Sequence, residues 1–406
     1  MLPTRSRKLY NHSVRFCLVT TFFPPQHFGG DAIVVAGLAN LLVSAGHDVE
    51  VVHCTDSFRL LQGDVPESQF PIDPRVIVHA ISSPLGALSP LLTHLTGRPF
   101  GKKTQLEQIL AKGFDVTHWH NLSLIGGPAA LAMGRGVRLM TLHEYWLTCP
   151  TSILFRDNEA VCTDRHCIRC TLNHHRPPQL WRYGSLVQDQ IKNVDLFLAP
   201  SQFVADKYQE HLGIRAEVLP NFLAPTASLA KQDDGYYLVV GRLEKYKGIQ
   251  DILPFFKNST RRLKIAGDGS FASELKTLAG NDPNIEFLGR LPHYQLAQLY
   301  AAARATLAPS ICWETFGLTV LESLNQGTPV ITSNYGALPE TVLTTGGGWI
   351  YNNFKELSQI LQLLDSNPST AHTKGLQGSQ RLSTFSPENH LESYLNVIAK
   401  RKRSAV

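Results

Sequence analysis

Short apolar runs alternate with helical repeats along most of the chain, and this alternation restricts the fold more than any other feature. A strand pattern from Phe16 to Thr21 leads into a glycine-bearing loop. The helix pattern Ala32-Ile-Val-Val-Ala-Gly-Leu-Ala-Asn-Leu-Leu-Val43 follows, then Gly46 and a second strand pattern from Asp48 to His53. Strand, helix and strand in this order indicate a parallel sheet, because parallel neighbours need a crossover between them. Further strands are expected at 76–81, 116–119, 139–142, 196–199 and 216–219. The second half repeats the pattern at 236–240, 263–266, 285–288, 305–308 and 329–332. A Pro- and Ala-bearing linker, Pro220-Asn-Phe-Leu-Ala-Pro-Thr-Ala-Ser228, separates the halves. The chain of 406 residues is 43% hydrophobic, enough to bury two cores. The expectation is therefore two Rossmann-like α/β halves facing across a cleft, with ligands beyond the carboxyl ends of the strands.

Charge narrows the partners. Only 17% of residues are charged, so the chain is neither disordered nor supercharged, and the net charge of +5 is spread over both halves. That is too weak to imply nucleic-acid binding. It permits peripheral contact with an acidic membrane, and the basic tail Lys400-Arg-Lys-Arg403 reads as a solvated end or a headgroup contact. No apolar run is long enough to span a bilayer. Arg5, Arg7 and Lys8 precede the apolar run from Val14 to Phe23, as in a signal peptide. Arg15 interrupts that run and no small-residue cleavage site follows, so a first strand and a functional loop are expected instead.

Two segments of the second half carry chemistry. In Leu238-Val-Val-Gly-Arg-Leu-Glu-Lys-Tyr-Lys-Gly248 a strand ends at Gly241, Arg242 and Lys247 follow in the loop, and Gly248 opens a helix. Arginine clamps phosphate oxygens through two donors and lysine adds a compact charge. About seventy residues on, Glu314 and Glu322 flank the opening of another helix near Phe316 and Gly317. Eight residues of helix rise about 12 Å. Glu314 then lies in the loop above the helix N-terminus and Glu322 within the helix. Backbone N–H groups at such an end attract phosphate. An anion cradle with two carboxylates suited to hydroxyls is what a nucleotide-diphosphate-sugar needs.

These segments resemble the signature of family-4 retaining glycosyltransferases with the GT-B fold. The resemblance extends to Phe23-Pro-Pro-Gln-His-Phe-Gly-Gly30, Asp115-Val-Thr-His-Trp-His120, Ala199-Pro-Ser201, Leu219-Pro-Asn221, Ala266-Gly-Asp-Gly269, Phe287-Leu-Gly-Arg290 and Gly336-Ala-Leu-Pro-Glu340. It implies an acceptor-side domain over residues 1–225, a nucleotide-sugar-binding domain over 226–385, and a segment 386–406 whose helix crosses back to the first domain. It implies retaining transfer of a sugar from a UDP- or GDP-sugar to a hydroxyl of a glycan, glycolipid or small molecule, with no cofactor required for the chemistry. The implied catalytic residues are Arg242, Lys247, Glu314 and His120. Donor contacts are implied for Gly29, Gly30, Arg242, Lys247, Arg290, Glu314, Phe316, Gly317, Leu318 and Glu322. Glu314 would touch sugar hydroxyls, Glu322 the ribose, and His120 the reacting sugar. His118 reads as structural, and His143 and Glu144 as lining the cleft or the acceptor side. Asn121, Ser201 and Glu340 are secondary candidates. The setting that the resemblance implies is cytoplasmic or peripheral at the inner face of the membrane.

Cysteine usage departs from the simplest members of that family. Four of seven cysteines cluster at Cys149, Cys162, Cys167 and Cys170, with His166, His174 and His175 nearby. This spacing matches a structural zinc knot. Unbound thiols, or two disulfides in an exported protein, are the alternatives. Two other functions fit the architecture: another nucleotide-sugar enzyme such as an epimerase, and a scaffold that kept the fold without activity. Retention of Arg242, Lys247, Glu314 and Glu322 together argues against the scaffold.

Overall fold

The structure is a computed structural model that describes residues 13–62, 70–164, 166–223 and 228–404. Arg5, Arg7 and Lys8, together with part of the linker, lie outside the described residues. So do the side chains beyond Arg401 in the basic tail. The chain divides into two compact units. One comprises residues 1–152, 167–224 and 387–406, the other residues 153–166 and 225–386.

In the first unit the strands are β1 (Arg15–Val19), β2 (Asp48–Cys54), β3 (Ile77–Ile81), β4 (Val116–Trp119) and β5 (Val137–Thr141). The hairpin strands β6 (Phe155–Arg156) and β7 (Ala160–Val161) follow in the chain but belong to the second unit. Strands β8 (Leu196–Ala199) and β9 (Ala216–Val218) complete the first sheet. Its order is β3-β2-β1-β4-β5-β8-β9, and every pair is parallel. Strands β1 and β4 are buried throughout or nearly so, as expected of a sheet covered on both faces. Helix Gly30–Ser44 packs most of its side chains inward, which explains why its sequence is apolar almost all round. The last helix, Pro387–Ser404, buries Leu391, Tyr394, Leu395 and Ile398 in this unit. Their spacing of three and four residues marks one face of a helix.

The second sheet contains β10 (Tyr236–Val240), β11 (Arg262–Ala266), β12 (Ile285–Gly289), β13 (Ala305–Ala308), β14 (Val330–Ser333) and β15 (Gly348–Tyr351). It runs β12-β11-β10-β13-β14-β15, all parallel. This is the doubly wound dinucleotide-binding order, whose switch point falls between the first and fourth strands. That places the ligand position at the carboxyl ends of β10 and β13, where the loops carrying Arg242 and Glu314 begin. Tyr237, Val239, Leu263, Ile265, Leu307 and Leu361 form much of the core.

The sequence reading missed β15. Its run Gly348-Trp-Ile-Tyr351 is short, half-exposed and preceded by two glycines, which reads as a loop. Gly348 is required by the pairing: a Cβ there would lie 2.2 Å from the carbonyl oxygen of Val330. Among the described residues, no helix is long and apolar enough to cross a membrane.

Candidate active site

After β10 the chain turns at Gly241 and Arg242, enters a short 3-10 turn at Lys245–Lys247, and reverses at Gly248. Gly248 has φ +67°, and a Cβ there would lie 2.1 Å from the Pro309 carbonyl oxygen. Only glycine lets the loop after β10 press this closely on the loop after β13. The result is a direct ion pair: Lys247 Nζ donates to Glu314 Oε1 at 2.5 Å. Ser310 Oγ donates to the same carboxylate oxygen at 2.5 Å.

Both members of the pair are largely withdrawn from water, with side chains 24% and 18% exposed. Burial opposes charge on each. For Lys247 the attraction of Glu314 outweighs it and the ammonium is raised above its ordinary value. For Glu314 burial is again the largest influence, but Lys247, Ser310 and Arg242 together hold its carboxyl below the ordinary value. Both groups therefore stay charged across the neutral range. Arg242 is exposed at the loop's edge, and its positive field acts on Lys247, Glu314 and Tyr246.

The loop bearing Glu314 is fixed from its far side. Ala337 N–H donates to the Glu314 carbonyl at 2.9 Å. Gly317, at φ +96°, caps helix Leu318–Asn325, and a Cβ there would lie 2.6 Å from Leu338. Phe316 is buried with its ring edge-on to Phe385 at 5.8 Å. Leu318 is the first helical residue and half-buried. Glu322 lies within the helix and accepts from Tyr300 OH at 2.9 Å. Burial and the adjacent carboxylate push that phenol well above its ordinary value, so it remains a donor. Ser310 and Tyr300 were not singled out from sequence. Ser310 had a signal: Ala308-Pro-Ser310 follows β13 as Ala199-Pro-Ser201 follows β8. Arg290 stands exposed after β12, the edge strand, two places from β10.

The first unit has its own cluster at the carboxyl ends of β1 and β4. Gly29 precedes helix Gly30–Ser44 and Gly30 is its first residue. His118 is buried, with Nδ1 2.8 Å from Tyr394 OH and Nε2 2.8 Å from Thr141 Oγ1. Both ring nitrogens are occupied, so the structural reading of His118 fits its contacts. His120 Nδ1 lies 2.9 Å from His143 Nε2, while its buried Nε2 has no hydrogen-bond partner among the described residues. Asn121 Nδ2 donates to Glu144 at 3.2 Å and to Asp31 at 3.4 Å. Ser201 caps helix Gln202–Leu212, accepting from Val204 N–H, which is a structural task. Glu340 lies in the first turn of helix Leu338–Thr345.

Burial lowers all the histidines of this cluster. His143 and the nearby His390 fall to about 4, and His118 and His120 fall well below 6.5. His390 donates from Nδ1 to the Pro220 carbonyl at 2.8 Å, tying the last helix to this unit. A histidine lowered on folding makes the unfolded chain the better proton binder between the two values. Stability is then complete above the unfolded value of 6.5 and is lost as pH falls toward about 4. Denaturant midpoints at pH 7.5 and 5 should show the drop, and His390→Asn should reduce it.

The expected zinc knot is not found. Among the described residues, no group of three or more His, Cys, Asp or Glu side chains could hold a metal ion. The four cysteines are divided between the units, with Cys162 in the β6–β7 hairpin segment and Cys149, Cys167 and Cys170 in the first unit. Cys149 is buried 3.2 Å from Thr151 Oγ1, Cys162 Sγ donates to the Asp164 carbonyl, and Cys167 and Cys170 begin and line helix Cys167–Asn173. The hairpin has a different task. Phe155 packs with Tyr246 and Cys312, bracing the Lys247 and Glu314 loops.

Two Rossmann-type sheets, one with a cationic and carboxylate-bearing switch point, define a nucleotide-handling α/β enzyme. A model described as Glycosyltransferase Family 4 matches residues 28–226, and one described as Glycosyl transferases group 1 matches residues 224–377. The chain belongs to this family and is a nucleotide-sugar-dependent glycosyltransferase of the GT-B fold. It is 26% identical over 356 residues to an uncharacterised glycosyltransferase of Methanocaldococcus jannaschii, covering 83% of this chain and 85% of that one. Sucrose-phosphate synthase from Thermosynechococcus elongatus superposes with a TM-score of 0.72 at 17% identity, covering 97% of this chain and 100% of that chain. The Anabaena protein HepE in complex with UDP-glucose superposes with a TM-score of 0.63 at 15% identity, covering 97% of this chain and 100% of that chain.

Proposed function

We propose that the enzyme transfers a sugar, with retention of anomeric configuration, from a UDP- or GDP-sugar to a hydroxyl of a glycan or lipid-linked acceptor. The observation that carries this reading is the Lys247–Glu314 pair at the switch point of the second sheet, beside a helix N-terminus. When the bond from sugar to diphosphate breaks, negative charge grows on the β-phosphate. Fixed cations and backbone N–H groups already aimed there lower the barrier. Arg242, Lys247 and the start of helix Leu318–Asn325 are these groups. Glu314, held by Lys247 and Ser310, presents its other carboxylate oxygen to sugar hydroxyls. Glu322 takes the ribose hydroxyls with the oxygen that Tyr300 leaves open.

In the first unit, His120 offers Nε2 to a sugar hydroxyl, which supplies the partner that this buried nitrogen lacks. His143 orients that ring through its contact to Nδ1. The acceptor hydroxyl attacks from the leaving-group face and its proton passes to a phosphate oxygen, so no protein nucleophile is required. The hydroxyl oxygen forms the new bond to the anomeric carbon as the bond to the β-phosphate oxygen breaks.

A hydrolysis and transfer screen across UDP- and GDP-sugars, read by mass spectrometry, tests the assignment. One nucleotide-sugar should be consumed with release of its diphosphate. No turnover with any donor, together with no thermal shift by UDP or GDP, contradicts it. His120→Ala should lower turnover on the order of tenfold or more while leaving binding of the free nucleoside diphosphate near wild type.

A further inference from the structure

After Ser152 the chain leaves the first unit, folds into the second as far as His166, and resumes in the first at Cys167. The outward arm of this excursion is fixed at both ends. On the first-unit side, His143 Nε2 lies 2.9 Å from His120 Nδ1. Two residues further on, Tyr145 N–H donates to the Ser152 carbonyl at 3.0 Å. Ser152 N–H donates to the Cys149 carbonyl at 3.1 Å, and Cys149 N–H to the Tyr145 carbonyl at 2.8 Å. These bonds close the loop 145–152 on itself. On the second-unit side, the Leu154 carbonyl accepts from Cys162 N–H at 2.8 Å, and Phe155 pairs with Val161 in the β6–β7 hairpin. Phe155 is 1% exposed, with its ring 6.2 Å from that of Tyr246 and Cys312 in the same cluster. Tyr246 adjoins Lys247, and Cys312 stands two residues before Glu314. Ile311 N–H donates to the Tyr246 carbonyl at 3.0 Å, so the two loops are joined where Phe155 presses on them.

The crossing itself is strained. Ser152 has φ +71° and Leu154 φ +48°, one on each side of the boundary between the units. A left-handed leucine is unfavourable and persists only where its surroundings over-determine it. Leu154 is buried and its carbonyl is bonded, so it is held in this way. Ser152-Ile-Leu154 contains no glycine that could absorb a displacement. A segment anchored at both ends and stiff between them carries a displacement from one end to the other.

We propose that this strap is a positioning element of the transfer reaction. Phe155 sets the approach of Lys247 to Glu314, and through Ser152 that approach depends on the His143–Tyr145 segment beside His120. Phe155 is a positioning residue: it touches no reacting atom and acts through Tyr246 and Cys312. The inference rests on the roles given above to Lys247, Glu314 and His120. The plainer reading of a buried phenylalanine is a passive filler of the core. Against it stand the strained entry at Ser152 and Leu154 and the insertion of this segment into the other unit. Filling a cavity requires neither.

Steady-state kinetics over pH, with denaturant unfolding alongside, test this in the full chain. Phe155→Ala should lower kcat about tenfold or more. Its acid limb should move to higher pH, because a loosened Lys247 no longer holds the Glu314 carboxyl down. Phe155→Leu should restore most of the rate. Ser152→Gly removes a left-handed side chain, so its unfolding midpoint should equal or exceed that of wild type while kcat falls roughly threefold or more. The double variant Phe155→Ala with Ser152→Gly should lose little more than Phe155→Ala alone, since both act on one strap. Leu361→Val, in the second-unit core, should lower stability with kcat near wild type well below its unfolding midpoint. Wild-type kcat in Phe155→Ala or in Ser152→Gly overturns the proposal. So do fully additive losses in the double variant, or an equal loss of kcat in Leu361→Val. Impaired Lys247→Ala beside normal strap variants would remove the strap alone, whereas normal turnover in all of them would also remove the reading of the site on which it rests.

Discussion

Lys247→Ala should reduce turnover by on the order of 100-fold or more, and Arg242→Ala should fall in the same range. Lys247 does two jobs. In the proposed mechanism it carries positive charge to the position where the leaving diphosphate becomes more negative, and in the structure it holds Glu314 at 2.5 Å. Removing it leaves a largely buried carboxylate beside Ser310 without its principal counter-charge. In wild type the Glu314 carboxyl is held below 4.5, so the charged pair is intact above that value and is lost only as pH falls through the lowered one. In Lys247→Ala burial is opposed only by Ser310 and Arg242, so the acid limb of the rate profile should move to higher pH. Lys247→Arg should recover only part of the activity, because a planar guanidinium does not reproduce a compact ammonium. Steady-state kinetics over pH for the three variants check this. Near-normal turnover in both alanine variants would remove these side chains from the leaving-group role.

Gly336→Ala should be nearly as damaging, although residue 336 carries no functional group. Its φ is +66°, and a Cβ would lie 2.3 Å from the Glu314 nitrogen and 2.5 Å from the Glu314 oxygen. Those neighbours are backbone and cannot rotate away. The loop must move, and with it the carboxylate that Lys247 and Ser310 hold. Gly213 is the control. It is left-handed at φ +68°, ψ +14°, with open space around the position of a Cβ. Gly213→Ala should show only the strain of a left-handed residue, about 1 kcal/mol, with turnover near wild type. Gly336→Ala should carry that strain and also lose nucleoside diphosphate affinity and at least tenfold in turnover. Denaturant unfolding and calorimetric titration with UDP and GDP separate the two effects. Equal behaviour of the two variants would show that residue 336 does not set the site.

How much of this was legible in the sequence depended on whether the signal was local. Strands such as Leu196–Ala199 and Tyr236–Val240 are compact apolar runs, bordered by Asp195 and Pro200 in one case and by glycines in the other, and they read correctly from pattern alone. Strand β15 did not, because an edge strand needs few buried side chains. The Glu314 loop and the helix after Gly317 were readable from residue type and spacing. Two of their supports were not: Tyr300 and the approach of Gly336 depend on chain segments brought together only by folding, whereas Ser310, four residues before Glu314, had a local signal in Ala308-Pro-Ser310. The cysteine cluster failed for the same reason in reverse. Spacing suggested four ligands to one metal, but the hairpin carrying Cys162 folds with the second unit and presses Phe155 against Tyr246.

A crystal structure of the enzyme with the nucleoside diphosphate that the donor screen selects is the most direct measurement. The account predicts the two phosphates against Arg242, Lys247 and the first turn of helix Leu318–Asn325, with the ribose on Glu322. A diphosphate bound away from both loops of the second sheet's switch point would contradict it.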